Sequence, residues 1–223
     1  MIPLRDDIPS ASRPITTYLI VALCTGVFLY MLSLGSAPRV EAFILQYGAT
    51  PADVTGRAGG NPVQAYPTVI TSMFMHGGWL HLIGNMLYLW IFGDNVEDLM
   101  GHVGFAMFYL IAGVAATLTH VFLNAGSTAP LIGASGAIAG VLGAYLVLFP
   151  RARILSLVPF GFFSRIMEVP ALFFLPIWFL LQFLQGVADI AGAGAGVAWW
   201  AHIGGFVAGI ILVPIFARRR RGE

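Results

Sequence analysis

Charge, lysine and cysteine are scarce in this chain of 223 residues. Only 9% of its residues are charged, none is lysine, and 58% are hydrophobic, whereas ordinary soluble domains carry about 25% charged residues. This composition excludes a soluble globular domain. The formal net charge of +1 provides no basic surface for nucleic acid. The single cysteine, Cys24, excludes an intrachain disulfide and a cysteine-based metal site.

The apolar runs are long enough to cross a bilayer, which takes roughly 20 mostly apolar residues. We therefore predict an all-α membrane protein in which residues 1–223 form one domain, a bundle of six spanning helices. The predicted spans are 15–34, 79–98, 103–123, 135–149, 169–188 and 199–217. A long loop, about 35–75, follows the first span, and a turn around Pro130 separates the third from the fourth.

The placement of arginine predicts the orientation of the bundle. Nine of the eleven basic residues lie in the N-terminal segment, in the loop between the fourth and fifth helices, or in the tail 218–221. These three segments share one side of a six-helix bundle. The positive-inside rule therefore places both termini in the cytoplasm. The first apolar run is longer than the core of a signal peptide, and the short tails favour a bacterial inner membrane.

Polar side chains at apolar depth are informative because an unsatisfied polar group in hydrocarbon costs several kcal/mol. Such residues occur around the starts of the second, fourth and sixth helices: His76, His81 and Asn85, then Ser135, then His202. Even-numbered helices start on the same side of the membrane. The predicted topology therefore brings these side chains together in the outer half of the bilayer.

Small residues indicate how the helices approach each other. Gly136 and Gly140 repeat along one face of the fourth helix, while His202, Gly205 and Gly209 share a face of the sixth. Glycine faces permit close backbone contact between helices in lipid. The serine and the histidine can therefore meet.

Each polar group also has a structural interpretation. Serine beside glycine is common as packing glue in membrane helices, and an intramembrane histidine can make a purely structural hydrogen bond. His76 and His81 are five residues apart, which misses the i, i+4 spacing of zinc-binding pairs, and no carboxylate lies beside them. We therefore expect no metal site. His102 and His120 are interpreted as packing or solvated residues at helix ends.

The ordered motifs resemble the rhomboid family of intramembrane serine proteases. The matching motifs are the segment from His76 through His81 to Asn85, the sequence Gly-Ala-Ser-Gly around Ser135, and Ala-His-x-x-Gly-x-x-x-Gly over 201–209. The resemblance extends from about residue 71 to residue 209.

The resemblance implies a rhomboid-like six-helix fold and a set of roles. Ser135 would be the nucleophile and His202 its general base, forming a dyad without a third carboxylate. His81 and Asn85 would donate hydrogen bonds to the oxyanion, with His76 as a supporting histidine beside them.

Further positions either match the family pattern or depart from it. Glu97 resembles the family's structural loop carboxylate. Pro67 and Thr68 stand where members often carry a Trp-Arg pair, and Ala139 stands where some members carry an aromatic residue under the histidine ring. Another group must therefore orient His202.

The leading hypothesis is an endopeptidase that cleaves transmembrane proteins near the outer face of the membrane. It uses no cofactor, and its partners are spanning substrates and the lipid bilayer, with no nucleic acid. The alternative is a non-catalytic rhomboid-like module that binds transmembrane helices. A transporter or channel would place polar residues along a path between the two faces. Here they cluster in the outer half, where Gln182, Gln185 and Asp189 also lie.

The fifth predicted helix is the candidate lateral gate for a spanning substrate. It contains Pro176, which removes a backbone hydrogen bond and favours a kink. We expect Phe183, in its outer half, to contact the second helix.

Overall fold

Helices hold most of the chain in the computed structural model, which describes residues 1–160, 163–188 and 198–217. A 3₁₀ turn at Ser72–Phe74 precedes the sixth helix. The helices in chain order are α1 (Ile15–Ser33), α2 (Ala37–Tyr47), α3 (Pro51–Val54), α4 (Pro62–Ala65), α5 (Thr68–Thr71), α6 (Trp79–Met100), α7 (His102–Leu123), α8 (Ser135–Leu148), α9 (Ala171–Ala188) and α10 (Trp199–Phe216).

Three of the described helices, α1, α7 and α10, are long and apolar enough to cross a membrane by length and composition. Helix α8 is apolar but has only 14 residues, and α6 carries Asp94, Glu97 and Asp98 towards its end. The protein is therefore a mostly helical membrane protein, and the count of six spans stays a prediction. The arginine tail 218–221 and Asp189 lie outside the described residues.

Helix α8 forms the centre of the bundle. Ten of its 14 residues are buried, because α6, α7, α9 and α10 all pack against it. Contact with α10 brings the two backbones together. A Cβ atom on Gly205 would overlap the carbonyl oxygen of Gly136, and one on Gly209 would overlap that of Gly140. The predicted close approach of these two glycine faces is confirmed.

A buried carboxylate on α6 fixes the start of α1. Glu97 accepts hydrogen bonds from the backbone N–H groups of Thr16 and Thr17, each at 2.8 Å, and from the Thr17 hydroxyl. His102 Nδ1 lies 2.6 Å from the same carboxylate. The first N–H groups of a helix have no intrahelical partner and carry partial positive charge. Glu97 lies on α6, within the predicted span 79–98, and this helix continues to Met100.

A three-stranded antiparallel sheet corrects the prediction of an all-α chain. Its strands are β1 (Ile2–Asp6), β2 (Arg153–Phe160) and β3 (Phe163–Pro170), in the order β1-β2-β3. Strand β1 pairs with β2 across about 150 residues, with Ile2 opposite Leu157. Local hydrophobic periodicity carries no information about a partner so distant in the chain.

Strand β3 also moves the start of the fifth long helix. Val169 lies opposite Ile154 and Pro170 lies opposite Arg153. These two residues were included in the predicted span 169–188, but they belong to the sheet. Helix α9 therefore begins at Ala171.

We predict that Glu97→Ala lowers the free energy of unfolding by about 3–5 kcal/mol, because it leaves buried donors on α1 without an acceptor. The matched control is Glu168→Ala, since Glu168 pairs with Arg153 at 3.1 Å on the exposed surface, where such pairs contribute about 0–1 kcal/mol. Unfolding of both variants in the same detergent is the measurement. Equal destabilisation by the two substitutions would show that Glu97 does not anchor α1.

Candidate active site

Ser135 is the first residue of α8, and the backbone before it makes a sharp turn. Gly133 has a φ of +128°, which L side chains rarely adopt, and its N–H donates to the carbonyl oxygen of Ser72. A Cβ atom on Gly133 would lie 2.7 Å from His81 Nε2. Glycine at this position therefore lets the imidazole of His81 approach the start of α8.

His202 lies in the first turn of α10 and faces the serine. Its Nε2 is 2.8 Å from Ser135 Oγ, which is hydrogen-bonding distance. The two residues are 67 positions apart in the sequence, and the glycine contact between α8 and α10 brings them together. An imidazole nitrogen at this distance can accept the hydroxyl proton.

The other side of the His202 ring is also occupied. Nδ1 lies 2.6 Å from Gln182 Oε1 on α9. The rings of Trp178 and Trp199 lie on α9 and α10, each with its centroid 6.0 Å from that of His202. In the sequence, Gln182 is only one of several polar residues late in the fifth predicted helix. Its spacing of four residues from Trp178 puts both side chains on one helix face. This spacing could have identified Gln182 as a candidate neighbour of the site.

His81 and Asn85 lie one turn apart on α6 and line the same cavity as Ser135. The Gly77 N–H donates a hydrogen bond to His81 Nδ1, with 3.4 Å between the two nitrogens. Because Nδ1 accepts this bond, the ring proton of neutral His81 is on Nε2. Asn85 is buried, and its Nδ2 has no hydrogen-bond partner among the described residues. Both side chains thus hold a donor near the serine.

His76 lies behind His81 instead of on the cavity wall. It is fully buried in the segment before α6, with its ring centroid 5.1 Å from that of His81. Burial, reinforced by the neighbouring His81, lowers the pKa of His76 to about 4, so its ring is neutral near pH 7. The sequence grouped His76 with the oxyanion residues, but the structure brings only His81 and Asn85 to the cavity.

The cavity has a volume of about 720 Å³ and is lined by parts of α6, α7, α8, α9 and α10 and by the segment before α8. His120, interpreted from the sequence as a packing or solvated residue, lies on its wall, as do Asn124 and Ser127 of the predicted turn. Most of the lining is apolar, but its polar side chains can form hydrogen bonds with water and with a peptide backbone.

Phe183 makes a different contact from the predicted one. Its ring packs edge-on against Trp200 at the start of α10, with a centroid distance of 6.5 Å. The expected partner was α6. The helix that follows α9 in the chain thus provides the aromatic surface that Phe183 meets.

Comparison with known proteins extends these observations. A family model described as the rhomboid domain matches residues 64–219. Rhomboid protein 1, mitochondrial, of Saccharomyces cerevisiae is 30% identical over 195 residues, covering 83% of this chain and 50% of the relative. Presenilin-associated rhomboid-like protein A, mitochondrial, of Danio rerio is 33% identical over 174 residues, covering 75% and 43%. Rhomboid protease GluP of Bacillus subtilis is 29% identical over 210 residues, covering 94% and 36%.

The chain spans half or less of the length of these relatives. The names of the yeast and zebrafish relatives place those proteins in mitochondria, so the comparisons do not support the predicted bacterial inner membrane. Ser135 and His202 both lie within the residues of this chain that the rhomboid model matches. With residues 64–219 matched by its model, the chain belongs to the rhomboid family.

Proposed function

We propose that this chain is an intramembrane serine endopeptidase that hydrolyses peptide bonds of transmembrane proteins near one face of the membrane. The observation that carries the proposal is the 2.8 Å distance between Ser135 Oγ and His202 Nε2 on the wall of a large cavity. Membership of a family in which the Bacillus subtilis relative is named a protease supports the same chemistry.

The dyad performs acyl transfer in two steps. His202 Nε2 takes the hydroxyl proton as Ser135 Oγ attacks the scissile carbonyl carbon, and then gives that proton to the departing amine. A water molecule next attacks the acyl-enzyme, with His202 again as base, and releases the new carboxyl end. These proton transfers need no metal or organic cofactor.

Three hydrogen-bond donors surround the position where negative charge develops. The backbone N–H of Ser135 is at the start of α8, where the helix dipole favours an anion. Asn85 Nδ2 and His81 Nε2 complete the set from α6. Donors that are already in place stabilise the tetrahedral intermediate without reorganisation. His76, packed on His81, holds that ring in position.

The membrane arrangement of the proposed enzyme follows from helix length. Helix α8 has 14 residues and spans about 21 Å, shorter than the roughly 30 Å hydrocarbon thickness. Ser135 at its end would therefore lie below the membrane surface. We propose that α6, α8 and α9 cross the bilayer with α1, α7 and α10, and that the arginine-rich segments, with both termini, face the cytoplasm.

Single-cysteine variants test this topology. In a Cys24→Ala background, we expect Gly60→Cys in the long first loop and Ser164→Cys on β3 to react with a membrane-impermeant maleimide from opposite sides of sealed vesicles. Both positions are exposed in the structure. Labelling of both from one side would exclude a six-span arrangement.

We predict that Ser135→Ala abolishes cleavage while the protein stays folded, because alanine fits the same space and lacks the attacking oxygen. The assay incubates the purified protein with a panel of single-span substrates and locates cuts by mass spectrometry. A fluorophosphonate probe should label Ser135 in the parent, and His202→Ala should suppress that labelling. The control is Ser164→Ala, at an exposed position on β3.

Two outcomes would count against the proposal. Cleavage by Ser135→Ala at the parent's rate would remove the dyad. Binding of transmembrane helices by a parent protein that neither cleaves nor reacts with the probe would favour the non-catalytic module.

We predict that Asn85→Ala lowers kcat by about 10² to 10³, with a much smaller change in KM, because one oxyanion donor is lost. The matched control is Asn61→Ala, since Asn61 caps the short helix α4 at an exposed site. A raised KM with unchanged kcat would assign Asn85 to substrate binding.

A further inference from the structure

We propose that Gln182 is the positioning residue for the general base of this enzyme. Its side-chain oxygen accepts a hydrogen bond from His202 Nδ1–H, which fixes the tautomer and the ring orientation that the reaction requires. The inference rests on the proposed peptidase function and adds a third member to its dyad. It also names what orients His202, which the sequence left open.

The hydrogen-bond chemistry of the two side chains carries the argument. Gln182 Oε1 can only accept a hydrogen bond, and it lies 2.6 Å from His202 Nδ1. The proton of the neutral imidazole is therefore on Nδ1, and the lone pair is on Nε2. Nε2 is the atom 2.8 Å from Ser135 Oγ, so the basic nitrogen faces the hydroxyl. The opposite tautomer would present an N–H to the serine and could not take its proton.

Among the residues that the structure describes, few other groups around His202 fix the rotation of its ring. Ala139, below the serine on α8, is fully buried and offers only a methyl group. Trp178 and Trp199 lie 6.0 Å from the imidazole by ring centroid, and they confine the ring without fixing which nitrogen points to Ser135. The contact with Gln182 is directional and distinguishes the two nitrogens.

A neutral acceptor suits this location. A carboxylate in the same position would have to leave water, which costs several kcal/mol per buried charge before any pairing. An amide costs much less to bury and still accepts the Nδ1 proton. It stabilises the imidazolium that forms during the reaction less strongly than a carboxylate would. Gln182 thus exchanges part of that stabilisation for a lower desolvation cost.

Steady-state kinetics of two variants and one matched control test the proposal. Gln182→Leu removes the acceptor at similar size, and Gln182→Glu keeps an acceptor oxygen. Gln185→Leu makes the same chemical change at an exposed position three residues further along α9. We expect Gln182→Leu to lower kcat roughly tenfold to a hundredfold, the effect of losing a hydrogen bond to a charged group. KM should stay near the parent value, Gln182→Glu should recover most of kcat, and Gln185→Leu should match the parent.

A second measurement reads the tautomer directly and does not depend on cleavage. Nitrogen-15 spectra of histidine-labelled protein, with the His202 signals assigned by comparison with His202→Asn, should show Nδ1 protonated and Nε2 unprotonated near neutral pH. Gln182→Leu should show a mixture of the two tautomers. Thermal unfolding of each variant separates this effect from a loss of fold, and recovery by Gln182→Glu excludes a pure packing defect.

The possible failures are distinguishable. If the parent cleaves, Ser135→Ala does not, and Gln182→Leu keeps the kcat of Gln185→Leu, the positioning role is wrong and the peptidase proposal stands. If the parent lacks peptidase activity, the proposed function fails, and the spectra still decide the hydrogen bond. A parent spectrum with His202 protonated on Nε2 would overturn the inference by itself.

Discussion

The backbone contact between α8 and α10 is the constraint on which the proposed chemistry depends. Gly136 and Gly140 meet Gly205 and Gly209 so closely that a methyl group at Gly205 or Gly209 would overlap a carbonyl oxygen of the opposite helix. Lipid supplies no hydrophobic drive for helix association, so packing at such small residues has to provide it. Because Ser135 and His202 each lie within one turn of this contact, helix separation sets the distance between their reacting atoms.

In the proposed mechanism each helix makes a different contribution to the site. Helix α8 would carry the nucleophile, α10 the base, α6 the oxyanion donors, and α9 the acceptor behind the base. Glu97 fixes α1 against α6 far from the serine, so the helix bearing His81 and Asn85 is itself held by a buried polar contact. The proposed mechanism therefore relies on groups that are already oriented before a substrate arrives.

Much of this arrangement can be read from the sequence because membrane chains restrict the positions of polar residues. The histidines, Ser135 and the glycine faces were all detectable as exceptions within apolar runs. The partner of His202 was not, because helical spacing does not tell which helix faces a given ring. The sheet was missed for a related reason, since β1 and β2 are separated by more than half the chain. His76 was grouped with His81 and Asn85 through the family resemblance, and a motif match does not distinguish a residue on the cavity wall from one in the layer behind it.

The pairing of β1 with β2 also has a consequence for the order in which the protein is made. Residues 2–6 leave the ribosome well before their hydrogen-bonding partners at 154–157, which are synthesised about 150 residues later. At about 5–20 residues per second, this strand waits roughly 8–30 seconds before it can pair. When β2 pairs with β1, the first third of the chain becomes connected to the last third. Any segment fused ahead of Ile2 would have to leave this strand free until that moment.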